Sequence, residues 1–225
     1  MNRDPFIQIA GVIDREEANL LIDCGVRYLG FPLRLPVHRE DISEEDAARI
    51  IRDLPQGVHA VLITYLDRAS EIIKLGEYLG VSYVQLHGPV EYAELEALRL
   101  ARPEWFLIKS LIIRGDYNDD LAALIQLHSP MVDAFITDTY DSATGASGAT
   151  GKVHNWSVSR RLVELSPMPV FLAGGLTEDN VAAAVNTVRP AGVDCHTGVE
   201  NPDGRKVAEK VLLFVRRAKR ALEAL

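Results

Sequence analysis

Short apolar runs alternate with amphipathic segments along the whole chain. The runs are FIQIAG, YLGFPL, HAVLITY, YVQLHG, FLIKSLII, AFITDTY, PVFLAGG and GVDCHTG, eight in all. Each is nearly continuous in apolar residues, which is the pattern of a strand covered on both faces. The segments between them carry helix start signals. Asp14, with Glu17 three residues later, forms a capping box before ANLLIDCG, and Gly25 suits the position just past a helix end. Ser43 before EEDAARIIRDL, Asp67 before RASEIIKLGEYLG and Thr177 before EDNVAAAVNTV read as further starts. The tail KVAEKVLLFVRRAKRALEAL reads as a closing helix with basic residues late. Strand–helix units of this kind build a parallel sheet with helices outside. Eight of them in 225 residues predict an α/β protein with one (β/α)8 TIM barrel domain over residues 1–225.

Composition narrows the function classes. The net charge is −8 and the pI about 5.3. Basic residues are scattered, with no basic stripe interleaved with aromatics, which argues against nucleic-acid binding. No apolar run reaches the roughly 18 residues of a membrane span. The opening MNRDPF lacks the apolar region of a signal peptide, and Cys24 and Cys195 fit no disulfide or zinc spacing. A reduced cytoplasm is the expected compartment.

Barrels of this kind carry their chemistry at the C-terminal ends of the strands. Side chains alternate along a strand, so residues of one parity share a side. Parity groups Gln8 with Ala10, Gln85 with His87, Leu107 with Lys109, Ile136 with Asp138, and Asp194 with His196. These sets are expected to face the mouth. Asp138 closes an apolar strand, where partial burial would raise its pKa and suit it to proton transfer. His87 suits a ligand hydrogen bond or a proton shuttle. Lys109, alone among apolar residues, is expected to pair with Asp138 or Asp194; the alternative is a Schiff-base lysine.

Paired Gly174 and Gly175, then HTG after the last strand, are expected to bind phosphate through backbone N–H groups and a helix start. The GATGK segment has the wrong spacing for a Walker motif. Thr150, Gly151 and Lys152 are instead expected to close over a ligand, with Lys152 near its charge. They lie in the longest irregular stretch, TYDSATGASGATGKVHNW. Arg34, His38 and Arg39, after the second strand, are candidates to receive a second anionic group. Cys195 reads as a buried small residue.

Five segments, VQLHG, DAFITDT, GATGKVHNW, VFLAGGLTEDNV and RPAGVDCHTGVE, resemble the phosphoribosylanthranilate isomerase family of tryptophan biosynthesis. Their order and spacing match over nearly the whole chain. The resemblance implies a (β/α)8 barrel without metal or cofactor that acts on a phosphorylated sugar-like small molecule. It implies an Amadori rearrangement, in which an aminoaldose phosphate becomes an aminoketose phosphate. A general acid opens the ring and a general base takes the C2 proton. Asp138 matches the acid. The phosphate contacts fall on Gly174, Gly175, Thr197 and Gly198.

The chain also departs from that family. The first strand there normally reads Lys-Ile-Cys-Gly, with the cysteine as base; here it reads Gln8, Ile9, Ala10, Gly11. Where the family has Ser-Pro-Arg, holding the anthranilate carboxylate, this chain has His38, Arg39, Glu40. The glycine pair before Thr-Gly-Lys has become Gly148, Ala149, and Ser-Ser-Gly has become His196, Thr197, Gly198. The expectation is a sugar-phosphate isomerase diverged in substrate, with weak or no phosphoribosylanthranilate isomerisation. Asp138 would work with His87 or His196. The alternatives are a non-catalytic phosphosugar-binding protein and a lyase or aldolase built on Lys109.

Overall fold

Eight parallel strands close on themselves in chain order, and a computed structural model describes residues 5–35, 40–115, 119–139 and 154–225 of the chain. The strands are β1 (Phe6–Ala10), β2 (Tyr28–Leu33), β3 (His59–Thr64), β4 (Tyr83–Leu86), β5 (Phe106–Ile113), β6 (Ala134–Thr139), β7 (Val170–Leu172) and β8 (Gly192–Cys195). Among the described residues, eight α-helices alternate with them: α1 (Arg15–Asp23), α2 (Glu44–Arg52), α3 (Ala69–Leu79), α4 (Tyr92–Ala101), α5 (Asp119–His128), α6 (Trp156–Leu165), α7 (Val181–Val188) and α8 (Ala208–Leu222). The barrel closes where β1 pairs with β8 in the register Gln8 to Asp194 and Ile9 to Cys195. The expected (β/α)8 architecture is what forms. No described helix is long and apolar enough to cross a membrane.

The apolar residues divide between two cores because each strand is covered on both sides. The larger one lies between sheet and helices and takes Ile9, Leu29, Leu107, Phe135 and Phe214. The smaller fills the barrel with Phe6, Ala10, Ile63, Ile108, Ile136 and Phe171. Aromatic rings close the N-terminal end of the barrel: Phe6 stacks on Phe171 at 3.9 Å, and Tyr28 and Tyr83 lie 5.6 Å apart. That plug leaves the opposite mouth as the open end.

Local signals act as the sequence indicates in two helices. The Asp14 carboxylate accepts from the Glu17 N–H at 2.9 Å, and the Ser43 hydroxyl accepts from Asp46 N–H at 3.1 Å. Two other starts shift. Asp67 does not cap α3: Arg68 stands at its cap without a side-chain capping bond, and the Ala69 N–H is met by Glu94 of α4 at 2.8 Å. That donor is satisfied from 25 residues away, which no local pattern reveals. Thr177 opens a turn rather than α7 itself, its carbonyl accepting from Asn180 and Val181 before the helix begins.

Strand β5 corrects the assignment of Lys109. Ile108 points into the barrel, and Leu107 packs toward the helices. Lys109 shares the outward side with Leu107, where its ammonium donates to the carbonyls of Leu86 at 3.2 Å, Gly88 at 2.9 Å and Ser110 at 3.2 Å. It pairs with neither Asp138 nor Asp194. A strand apolar on both faces gives no parity signal, so the sequence could not tell its sides apart. Burial lowers the Lys109 pKa to about 8. Removing a buried donor with three acceptors leaves those carbonyls unsatisfied. The Lys109→Met variant should therefore unfold about 2–3 kcal/mol more easily in a denaturant titration, and borohydride should trap no sugar-phosphate carbonyl on Lys109.

Candidate active site at the barrel mouth

The inward side chains near the strand ends converge on a cavity of about 370 Å3. Its lining includes Ala10, Gln85, His87, Asp138, Asp194 and His196, from four different strands or their ends. The three candidate proton-transfer residues Asp138, His87 and His196 thus share one space. Four of the five parity sets face it as expected; only that of β5 is reversed.

A hydrogen-bonded chain lies across the barrel at this level. The Gln8 amide donates to Asp194 at 2.9 Å and to Gln85 at 3.2 Å. Gln85 donates to the Ser110 hydroxyl at 3.4 Å, and Ser110 meets His87 Nδ1 at 3.1 Å. The rings of His87 and Tyr65 lie 4.8 Å apart. Gln8 is fully buried, and its carboxamide oxygen has no donor among the described residues. Ser110 was missed in the sequence because it follows from the true parity of β5. Gln8 supports the cavity by holding Gln85 and Asp194 rather than by lining it.

Two carboxyl groups in the cavity are electrostatically unusual. Asp138 is buried, with a pKa raised to about 7 chiefly by desolvation, and Asp194 beside it adds to the rise. The Thr139 N–H donates to Asp138 at 2.7 Å and opposes the rise. Asp194 is likewise raised to about 7 by burial, against the bond from Gln8 and the charge of Lys206. Groups that titrate near neutral pH serve as acids and bases with little mismatch. Among the described residues, no three His, Cys, Asp or Glu side chains form a group able to hold a metal ion.

The loops after β7 and β8 interlock. Gly174 and Gly175 have φ of +96° and +64°, a region that glycine adopts freely. Asn180 donates to the Gly175 carbonyl at 2.9 Å and accepts from Thr177 N–H at 2.8 Å. Gly198 packs so closely on the Leu176 carbonyl that a Cβ would sit 1.9 Å from its oxygen. Thr197 begins a single 3-10 turn, Thr197–Val199, and lines the cavity. Cys195 is buried with its thiol on the Leu176 carbonyl at 3.1 Å, as a small core residue. His154 joins Thr139 at 2.9 Å and also Ser159, fixing the start of α6 to the end of β6.

His196 stands on the β1–β8 side, its Nε2 3.6 Å from Glu200 and 4.0 Å from Asp41. Glu200 and Asp41 also line the cavity and were not singled out in the sequence. The spacing of Glu200, four residues after His196, was the available signal. Arg34 lies in a left-handed conformation and pairs with Glu44, away from the cavity lining. His38, Arg39, Thr150, Gly151 and Lys152 lie outside the described residues.

The raised carboxyls make stability depend on pH. The folded pKa exceeds the unfolded value of 3.8 in both cases, so the native state binds protons more tightly. Their contribution is present below about pH 4 and is lost as pH rises through about 7. Asp138→Asn and Asp194→Asn should raise the Tm at pH 8 by a few degrees and flatten its fall between pH 5 and 8, as read by calorimetry.

Comparison with known proteins agrees with this geometry. Residues 7–217 match the family described as N-(5'phosphoribosyl)anthranilate (PRA) isomerase. A relative from Methanosarcina mazei, N-(5'-phosphoribosyl)anthranilate isomerase 2, is 37% identical over 214 residues, covering 95% of this chain and 93% of its own. The Haloferax volcanii N-(5'-phosphoribosyl)anthranilate isomerase is 35% identical, covering 96% of this chain and 93% of its own. The solved phosphoribosyl anthranilate isomerase of Thermotoga maritima superposes with a TM-score of 0.80 at 26% identity, over 95% of this chain and 98% of that one. Another solved isomerase, in complex with reduced 1-(o-carboxyphenylamino)-1-deoxyribulose 5-phosphate, gives 0.77 at 25% identity, over 95% and 98%. With a match that spans nearly the whole barrel, the chain belongs to the phosphoribosylanthranilate isomerase family.

Proposed function

We propose that this protein isomerises an N-substituted aminoaldose phosphate to the aminoketose phosphate, with Asp138 as the proton donor. The observation that carries the reading is a buried carboxyl at the end of β6, facing the mouth cavity with a pKa near 7. Such a group is protonated often enough at neutral pH to protonate a ring oxygen. Family membership supplies the reaction class, and one solved relative holds a reduced aminodeoxyribulose phosphate. The phosphate would rest on the interlocked glycine loops after β7 and β8, on backbone N–H groups of Gly174, Gly175, Thr197 and Gly198.

The substrate is proposed to differ from phosphoribosylanthranilate. Ala10 lines the cavity at the end of β1 and has no group to accept a proton. General base catalysis contributes roughly 10²–10⁴-fold. Turnover of phosphoribosylanthranilate should fall at least about tenfold below that of a cysteine-bearing relative, because position 10 carries no base and a base elsewhere in the cavity is not placed for that substrate. Ala10→Cys should raise it at least about tenfold, and Asp138→Asn should abolish it. These rates are followed by the loss of anthranilate-type fluorescence. Wild-type turnover equal to that of the cysteine-bearing relative would contradict the divergence. Binding without turnover in every variant, Ala10→Cys included, would make the protein a phosphosugar binder instead.

A further inference from the structure

Ala10 and His196 are neighbours across the seam that closes the barrel. β1 and β8 pair in parallel with Ile9 opposite Cys195, so the next step along the two strands brings Ala10 beside His196. Ile9 and Cys195 both face the helices, and Ala10 and His196 both line the cavity. Adjacent strands are about 4.8 Å apart. A side chain from the end of β8 therefore opens onto the same part of the cavity as position 10.

The imidazole lies over the neighbouring residue, Gly11. A Cβ on residue 11 would sit 2.0 Å from His196 Nε2 and 2.6 Å from its Cδ2. Gly11 has φ of +78° and no side chain, and the ring lies over it. The ring is backed by acids: Glu200 at 3.6 Å and Asp41 at 4.0 Å from Nε2. Glu200 is held in turn by the buried Lys206, and its carbonyl accepts from Lys210 at 2.8 Å. Lys206 N–H is anchored on Glu17 of α1 at 2.9 Å. Carboxylates at this distance stabilise an imidazolium once it has formed.

The other candidate bases are less well placed: Asp194 is engaged by the Gln8 amide at 2.9 Å, deeper along β8. His87 is tied through Nδ1 to Ser110 on the β4–β5 side. The Cys195 thiol faces away, and Lys109 lies outside the barrel.

We infer that His196 is the general base of this protein, replacing from β8 the proton acceptor that Ala10 cannot supply from β1. The inference rests on the isomerase reading above. Asp138 gives its proton to the ring oxygen as the C1–O bond breaks, and the nitrogen lone pair forms the C1=N bond. His196 takes the C2 proton on a ring nitrogen; the C–H pair becomes C1=C2, and the C1=N pair returns to nitrogen. The imidazolium then protonates C1 while the C2 hydroxyl proton returns to Asp138. The ketone forms, both residues regain their starting states, and nothing is oxidised or reduced overall.

The test is a double-mutant cycle of His196→Gln and Ala10→Cys, with His196→Ala as a second truncation. Phosphoribosylanthranilate is the probe, and calorimetric binding of reduced 1-(o-carboxyphenylamino)-1-deoxyribulose 5-phosphate checks that each variant folds and binds. In the Ala10 background, either His196 substitution should lower kcat at least about 100-fold with KM changed less than about threefold. In the Ala10→Cys background the thiol supplies a base, and the loss should shrink to under about fivefold. Equal losses in both backgrounds, or a wild type that binds the analogue without turnover while Ala10→Cys turns over, would overturn the role of His196. Failure of every variant to bind the analogue would instead overturn the phosphosugar reading itself.

Discussion

The seam between β1 and β8 is the constraint on which this molecule depends. A closed barrel has no edge strands, and this closure needs the last element to meet the first in one register. Backbone pairing from Phe6 to Ile9 supplies the ladder, and the Gln8–Asp194 bond crosses it inside the barrel. Outside, Glu17 accepts from Ile13 N–H and from Lys206 N–H, so one buried carboxylate ties the first loop to the last. His196 over Gly11 continues the same contact at the mouth. Closing the fold and shaping this side of the cavity are thus one set of interactions. A slip of one residue would turn Gln8, Ala10 and Asp194 out of the barrel.

Polar residues inside a barrel are expensive unless paired, and this chain meets that cost in two ways. The Gln8, Gln85 and Ser110 side chains bond one another and leave a single acceptor without a donor among the described residues. The two aspartates instead shift their pKa values toward neutrality, so that desolvation favours the protonated form. The strain of that shift is also its use, because a carboxyl near pH 7 gives and takes protons readily. Lys109 shows a buried charge solved differently. Three carbonyls surround it, which makes it a brace between β4 and β5 rather than a reagent.

The strand–helix alternation carried the fold because each element's pattern agreed with the whole. The boundaries of β2 and β5 coincide with the runs YLGFPL and FLIKSLII. Much of the site was legible for the same reason: alternation places Ala10, Gln85, His87, Asp138, Asp194 and His196 on one side, and they do share the cavity. What stayed hidden depended on contacts distant in sequence. The parity of β5 has no polar face to reveal it, so Lys109 was misplaced and Ser110 overlooked. The start of α3 is satisfied by Glu94 on another helix. The approach of His196 to Gly11 exists only because the barrel closes, and no local motif joins residues at its two ends.

Two departures that look unrelated along the chain, alanine at position 10 and histidine at position 196, line the same cavity. The central claim is that the phosphate loops and the acid keep their places while the base has crossed from β1 to β8. A crystal structure with reduced 1-(o-carboxyphenylamino)-1-deoxyribulose 5-phosphate tests it most directly. The account requires the phosphate on the backbone N–H groups after β7 and β8, and the carbon equivalent to C2 within reach of the His196 ring. A phosphate bound elsewhere, or a C2 position facing His87 with His196 turned away, would contradict it.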